Sequence, residues 1–162
     1  PKSLSIEKQS EGTSFGGVYA QFFQKATDIK EATSGISVVR EVLDQNGDPI
    51  NGKILKVGDK VKVRLTITAS RDFDFVQVID KRAACLEPTN QLSGYHWGCY
   101  IAPKDNSTNY YFDMLAKGKH IVEAEYFIDR EGNYQTGTCT AQSAYAPEFS
   151  GRASAIEFKI NK

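Results

Sequence analysis

The chain has 162 residues, with 20 Lys and Arg set against 20 Asp and Glu. That length predicts one domain plus an extension, and a chain of this size buries about 70 % of its unfolded surface, enough to fold without a metal or a disulfide. The neutral balance argues against nucleic acid or an anionic membrane as the main partner, and no apolar run approaches the roughly 18 residues of a membrane span.

In chain order, Pro1 to Ser34 read as separate from the rest of the chain. The chain starts at Pro1 without a methionine or a signal peptide, which predicts an excised or processed piece. Leu4 and Ile6 mark one short strand, and Val18, Tyr19, Phe22 and Phe23 a second. Lys25 to Ser34 is polar and ends at Gly35, as a linker does. The main domain then opens with a strand, ISVVREVLD, ended by the turn dipeptides Asn46-Gly47 and Asp48-Pro49. That turn resembles the start of a calcium loop but lacks the distal glutamate that completes one.

The organising stretch is Val57 to Asp80. Val61, Val63, Leu65 and Ile67 alternate with Lys62, Arg64, Thr66 and Thr68, the period of a half-buried strand. Phe75, Val76, Val78 and Ile79 place apolar groups on both faces, as in a strand covered on both sides. Ala69 to Asp72 supply a tight connection, making the pair a hairpin. Neither strand can bury itself, so a second sheet is required.

Lys81 to Thr108 is the least regular part, and a connection this long is often a binding loop or an ordered insert. Further strands are predicted over Tyr110 to Leu115, Ile121 to Ile128 with Val122, Ala124, Tyr126 and Ile128 inward, Tyr134 to Tyr145, and Ala155 to Ile160. Arg130 to Asn133 reads as a hairpin turn. The fold class that results is an all-β antiparallel sandwich of about seven strands, immunoglobulin-like in layout, over Gly35 to Lys162.

No catalytic constellation emerges. There are two histidines and no nucleophile elbow, phosphate loop or zinc-protease motif. His120 reads as a strand-edge residue. His96 lies three residues from Cys99, and a Cys–His pair can make a nucleophile. Asp105 and Asp113 read as solvated carboxylates. No catalytic residue, metal or cofactor is predicted. Cys85, Cys99 and Cys139 match no zinc spacing. One disulfide with a leftover thiol is expected, with Cys85–Cys99 favoured over Cys85–Cys139, against the plain alternative of three buried thiols. Within the insert, Tyr95, Trp97 and Tyr100, with Tyr110 and Tyr111, either form a platform for sugars or a partner chain or fold back to cap one end of the sandwich.

Four segments, FGGVYAQFF, DKRAACLEPTNQLSGYHW, NYYFDMLAKGKHIVEAEYFIDREGNYQTGT and YAPEFSGRASAIEF, resemble stretches of the bacterial alpha-2-macroglobulin family, in the same order, and the resemblance covers most of the chain. Ala20 stands where the family usually has a tryptophan. The resemblance implies a large protease-trapping parent, periplasmic or on the cell surface and lipid-anchored. This chain would be its terminal macroglobulin-like sandwich, residues 35–162. Residues 1–34 would be the returning strands of the preceding domain plus a linker. The partners it implies are the other domains of the parent, with proteases met only by the intact parent. Neither the thioester sequence nor a bait occurs in these residues, so the piece itself is not expected to be an enzyme or to trap covalently. Tyr145, Pro147, Glu148 and Arg152 are the candidate interdomain contact. The competing expectation is an adhesin or carbohydrate-binding sandwich using Tyr95 to Tyr100.

Overall fold

The computed structural model describes residue 3 and residues 5–50, 53–96 and 98–162. Leu4 and Trp97, both part of the sequence-based expectations, lie outside the described residues. The first regular elements are a 3-10 turn at Ala26–Asp28 and a short strand, β1 (Ala32–Ser34). The strand expected at Val18 to Phe23 does not form. Phe15, Val18, Tyr19, Phe22 and Phe23 are all at least 66 % exposed, because no second layer covers them among the described residues. β1, by contrast, lies in the stretch expected to be linker.

The remaining elements are β2 (Ile36–Leu43), β3 (Leu55–Lys56), β4 (Lys60–Ala69), β5 (Phe73–Lys81), β6 (Leu86–Pro88), β7 (Gly94–His96), β8 (Cys99–Pro103), β9 (Ser107–Leu115), β10 (Gly118–Ile128), β11 (Gly132–Gln135), β12 (Cys139–Ser143), β13 (Ser150–Ala153) and β14 (Glu157–Asn161). They form a seven-stranded sheet in the order β1-β13-β12-β5-β9-β8-β7, a four-stranded sheet β2-β4-β10-β6, and a small sheet β11-β14-β3. Among the described residues all pairings of these strands are antiparallel except β14 with β3. The all-β sandwich expected from the alternation patterns is therefore the observed fold, with more and shorter strands than seven.

The alternation of β4 is borne out: Val61, Val63, Leu65, Ile67 and Ala69 are buried. They face Val76, Val78, Tyr110, Phe112 and Ala141 across the core. Leu65 and Ile67 are completely buried, each such side chain stabilising the fold by about 1.5–3 kcal/mol relative to exposure. β10 follows the expected phase, with Tyr126 and Ile128 buried and Val122 and Ala124 half-buried.

β4 and β5 are not a hairpin. β4 is flanked by β2 and β10, and β5 by β12 and β9. Their connection is an arch that gives one strand to each layer. It is held by Ser70 N–H donating to Gly35 O (2.9 Å) and Lys117 N–H donating to Asp72 Oδ1 (2.6 Å). Gly35, at φ +73°, is the corner where the chain leaves the large sheet after β1 and enters the other as β2. A Cβ there would lie 2.5 Å from the Phe149 ring.

β5 is not covered on both faces either. Phe75 has φ +51°, a region a bulky residue rarely occupies. The kink shifts the strand's phase. Phe73 is buried before it, Val76, Val78 and Asp80 after it, and Phe75 itself is turned outward. β9 makes the matching shift, with Tyr110 and Phe112 inward, then Leu115. The mixed pattern of Phe75 to Ile79 reports this reversal rather than double coverage.

Two more expectations are corrected. Residues 130–133 are no hairpin turn, since β11 pairs with β14 and not with β10. Tyr134 to Tyr145 divides into β11 and β12 on different sheets, parted where Arg40 binds Thr136 and Gly137. The insert contains β6, β7 and β8, and Arg82 donates to Leu86 O, Ser107 O and Asp105 O at 2.7–3.1 Å, joining its two ends. The calcium-like turn has its own cation. Asp44 accepts from Asn46 N and Asp48 N, and Lys53 Nζ lies 2.7 Å from Asp44 Oδ2. The Lys53 bond holds the Asp44 carboxyl below its ordinary range.

Candidate interaction surface

The outer face of the seven-stranded sheet carries two cross-strand rows. One runs Tyr95, Tyr100, Tyr111, Gln77, Gln142, Ser150 across β7, β8, β9, β5, β12 and β13. The other runs Ala102, Asn109, Ile79, Thr140, Arg152. Alternation turns these side chains to the outer side, all but the buried Ala102 at least partly exposed, because their neighbours Tyr110, Phe112, Val76, Val78, Cys139 and Ala141 are buried inside. Neither row contains Lys, Asp or Glu. Surfaces made for protein contact are depleted in those residues and enriched in Tyr and Arg.

The tyrosines lock one another. The Tyr95 and Tyr100 rings are 5.1 Å apart at 65°, and Tyr100 and Tyr111 6.4 Å apart at 46°. Tyr111 Oη accepts from Gln77 Nε2 (3.3 Å) and Asn109 Nδ2 (3.2 Å). Tyr95 and Tyr100 belong to a hairpin, β7–β8, added to the edge of the sheet; Trp97, on which the end cap would centre, lies outside the described residues. Tyr110, grouped with them in the sequence, is a core residue.

The β12–β13 turn borders the same face. Gln142 Nε2 donates to Pro147 O (3.1 Å), tying the turn to the tyrosine row. Tyr145 is 79 % exposed and stands edge-on to the outward Phe75 at 5.4 Å. Ala144 N–H donates to Phe75 O (2.8 Å), so the β5 kink and the turn support each other. Phe149 anchors the turn's other side, 5.3 Å from Phe73 and beneath the Arg71 guanidinium at 4.2 Å. Pro147 and Glu148 are exposed. Arg152 is not in the turn. It lies in β13, and its Nε donates to Lys30 O (3.1 Å), holding the segment before β1.

Behind this face sits a buried ion pair that sequence reasoning missed. Arg40 Nη1 and Asp80 Oδ1 are 2.7 Å apart, their side chains 1 % and 2 % exposed. Arg40 Nη2 also binds Thr136 Oγ1, Gly137 O and Ser154 O. The pair joins the two main sheets to the segments that lead into β12 and β14. The signal was present: Arg40 shares the phase of Ile36, Val38 and Val42, and Asp80 that of Val76 and Val78.

All three cysteines are buried free thiols, so the expected Cys85–Cys99 disulfide is not formed, nor is Cys85–Cys139. Cys85 precedes β6 in the smaller layer, whereas Cys99 and Cys139 open β8 and β12. Three strand spacings separate those two, about 14 Å, twice the reach of a disulfide. The plain alternative, three buried small side chains, is what the fold uses. β7–β8 pairing does set His96 opposite Cys99. Burial nevertheless pushes the Cys99 thiol up to about 11, the reverse of what a nucleophile needs. His120 is a strand residue bound to Ala116 O (2.7 Å). Among the described residues no group of His, Cys, Asp and Glu is placed to hold a metal, and no helix is long and apolar enough to cross a membrane.

The chain is a two-layer β-sandwich whose larger sheet carries on its outer face two rows free of Lys, Asp and Glu, one of them a row of tyrosines. The family model for the bacterial alpha-2-macroglobulin MG10 domain matches residues 35–148, more than half of the chain. The chain belongs to that family. Among solved structures it is similar to a mutant of Salmonella alpha-2-macroglobulin, at TM-score 0.74 and 20 % identity over 83 % of this chain and 10 % of that one. It is likewise similar to native Escherichia coli alpha-2-macroglobulin spanning domain MG7 to the C-terminus, at 0.71 and 18 % over 82 % of this chain and 24 % of that one. The E. coli protein activated by porcine elastase matches at 0.74 and 19 %, over 83 % of this chain and 14 % of that one. At these identities the likeness is one of fold. The chain spans a tenth to a quarter of those chains. No curated relative matches it.

Proposed function

We propose that this chain is a non-catalytic structural and interaction domain from the C-terminal part of a protease-trapping alpha-2-macroglobulin-like parent, located in the periplasm or on the bacterial cell surface. It packs on neighbouring domains of the same parent through the tyrosine row and the β12–β13 turn, and meets proteases only as part of the intact molecule. The observation that carries this reading is the continuity of the two candidate sites: the Gln142–Pro147 bond joins Tyr95, Tyr100, Tyr111 and Gln77 to Tyr145, Pro147 and Glu148 in one face. The residues before β1 are assigned to the preceding domain and its linker, where their exposed Phe15, Val18, Tyr19, Phe22 and Phe23 would find a layer to pack on. β1 itself belongs to the sandwich.

The carbohydrate-binding alternative is less well supported, since rings inclined at 65° and 46° do not present one flat stacking platform. In the intact parent, Tyr145→Ala combined with Glu148→Ala is expected to change the amount of protease retained and the shape change that cleavage produces. Both are read by gel filtration before and after protease addition. Trapping and conformation identical to the unmodified parent would remove the turn from the contact.

A further inference from the structure

The stretch between the exposed aromatic segment and β2 is polar, as a linker is, but it is bonded as part of the sandwich. The 3-10 turn at Ala26–Asp28 is closed by Asp28 N–H donating to Lys25 O (3.0 Å) and Ile29 N–H donating to Ala26 O (3.3 Å), and Gln24 Nε2 donates to Asp28 O (2.7 Å). Ile29 O then accepts from Ser154 Oγ (3.0 Å) and Lys30 O from Arg152 Nε (3.1 Å). Ala32, Thr33 and Ser34 follow, paired with Arg152, Gly151 and Ser150. All three residues of β1 are exposed, and so short an edge strand frays readily by itself. The Arg152 and Ser154 side chains hold the chain just ahead of it. Ser154 is in turn fixed from inside, because its carbonyl accepts from the buried Arg40.

We propose that residues 24–34 are a splint that couples the preceding domain to the β12–β13 turn, so that a rotation of that domain reaches the turn with no slack between them. The inference rests on the assignment, made above, of the residues before β1 to that domain and its linker. The path is short. β13 lies between β1 and β12. It cannot move toward β2, because Gly151 passes so close that a Cβ there would stand 2.5 Å from Ile36 O and 3.0 Å from Ser37 Cα. A pull on β1 therefore carries β13 with it, and the first residue of β13, Ser150, directly follows Phe149. Phe149 closes the turn: its N–H donates to Ala146 O (2.9 Å) and its carbonyl accepts from Ser143 N (3.1 Å). Splint and turn also touch directly at Gly35, where a Cβ would lie 2.5 Å from the Phe149 ring. Arg152 thus serves the interdomain contact from within the chain, by holding Lys30.

In the 162-residue chain, NMR relaxation is expected to give Ile29 to Ser34 backbone order parameters of about 0.85, matching β13, and Arg152→Ala with Ser154→Ala is expected to lower them below about 0.6. The same spectra report the fold, since β4 and β5 should be unchanged. In the intact parent, two changes leave the turn's own residues alone: that double substitution, and about four Gly and Ser residues inserted between Phe23 and Gln24, which put slack ahead of an intact splint. Each is expected to reduce the gel-filtration shift that protease cleavage produces by about half or more. Ile29 to Ser34 already mobile in the unmodified chain, or a parent whose shift both changes leave at full size, overturns the splint. The Tyr145→Ala, Glu148→Ala parent in the same assay separates the two readings: if it alters the shift while the splint variants do not, the turn's contact stands and the splint alone falls.

Discussion

Arg40→Leu is expected to cost about 3–5 kcal/mol of stability, measured by urea unfolding, because it strands the Asp80 carboxylate among apolar side chains. The guanidinium supplies the ion pair at 2.7 Å and three further bonds to Thr136, Gly137 and Ser154. Asp80 is only 1 % exposed. The stranded group cannot be rehydrated without opening the sandwich. Removing both charges, as Arg40→Leu with Asp80→Leu, is expected to recover much of the loss, since two buried desolvation penalties disappear together. Arg40 Nε and Tyr110 Oη are buried without hydrogen-bond partners, so the native network is incompletely satisfied and its apolar replacement forfeits less than the full count of bonds. A double variant no more stable than the single would contradict this account.

Gly151→Ala is expected to destabilise by about 2 kcal/mol or more, at the upper end of overpacking effects. A Cβ at Gly151 would stand 2.5 Å from Ile36 O and 3.0 Å from Ser37 Cα. Those are backbone atoms of β2, held in register by β4 from Ile36 to Leu43, and they cannot yield as the end of a flexible side chain would. β13 must instead lift away from β2, loosening β1 and β12 on its two sides. A melting temperature equal to that of the wild type would show that the two sheets do not approach as closely here as the structure places them.

The alternation in β4 and β10 was legible because each strand keeps one phase from end to end. The phase of β5 was not. It reverses at Phe75, whose positive φ is sustained by tertiary contacts from Ala144 and Tyr145 and has no local signature in a bulky residue. β13 was missed for a related reason. Ser-Gly-Arg-Ala is a poor strand former by composition, and it is a strand because β12 and β1 bond it on both sides and its smallness lets β2 come close. Partner choice was the least legible property. A tight connection between two apolar segments reads as a hairpin, yet β4 already has β2 and β10 as neighbours, and β5 has to join the other sheet. The interaction surface was half legible. The GYHWGCY run marked Tyr95 and Tyr100, but that Tyr111, Gln77 and Gln142 extend their row depends on register between distant segments.

Hydroxyl-radical footprinting of the tyrosines, done on the isolated chain and on the intact parent, tests the central claim most directly. Tyr95 and Tyr145 are 67 % and 79 % exposed in the isolated chain. Burial of this face against neighbouring domains predicts that the parent strongly protects both, while the buried Tyr110 and Tyr126 are unreactive in each. Tyr95 and Tyr145 labelling as readily in the parent as in the isolated chain would contradict it.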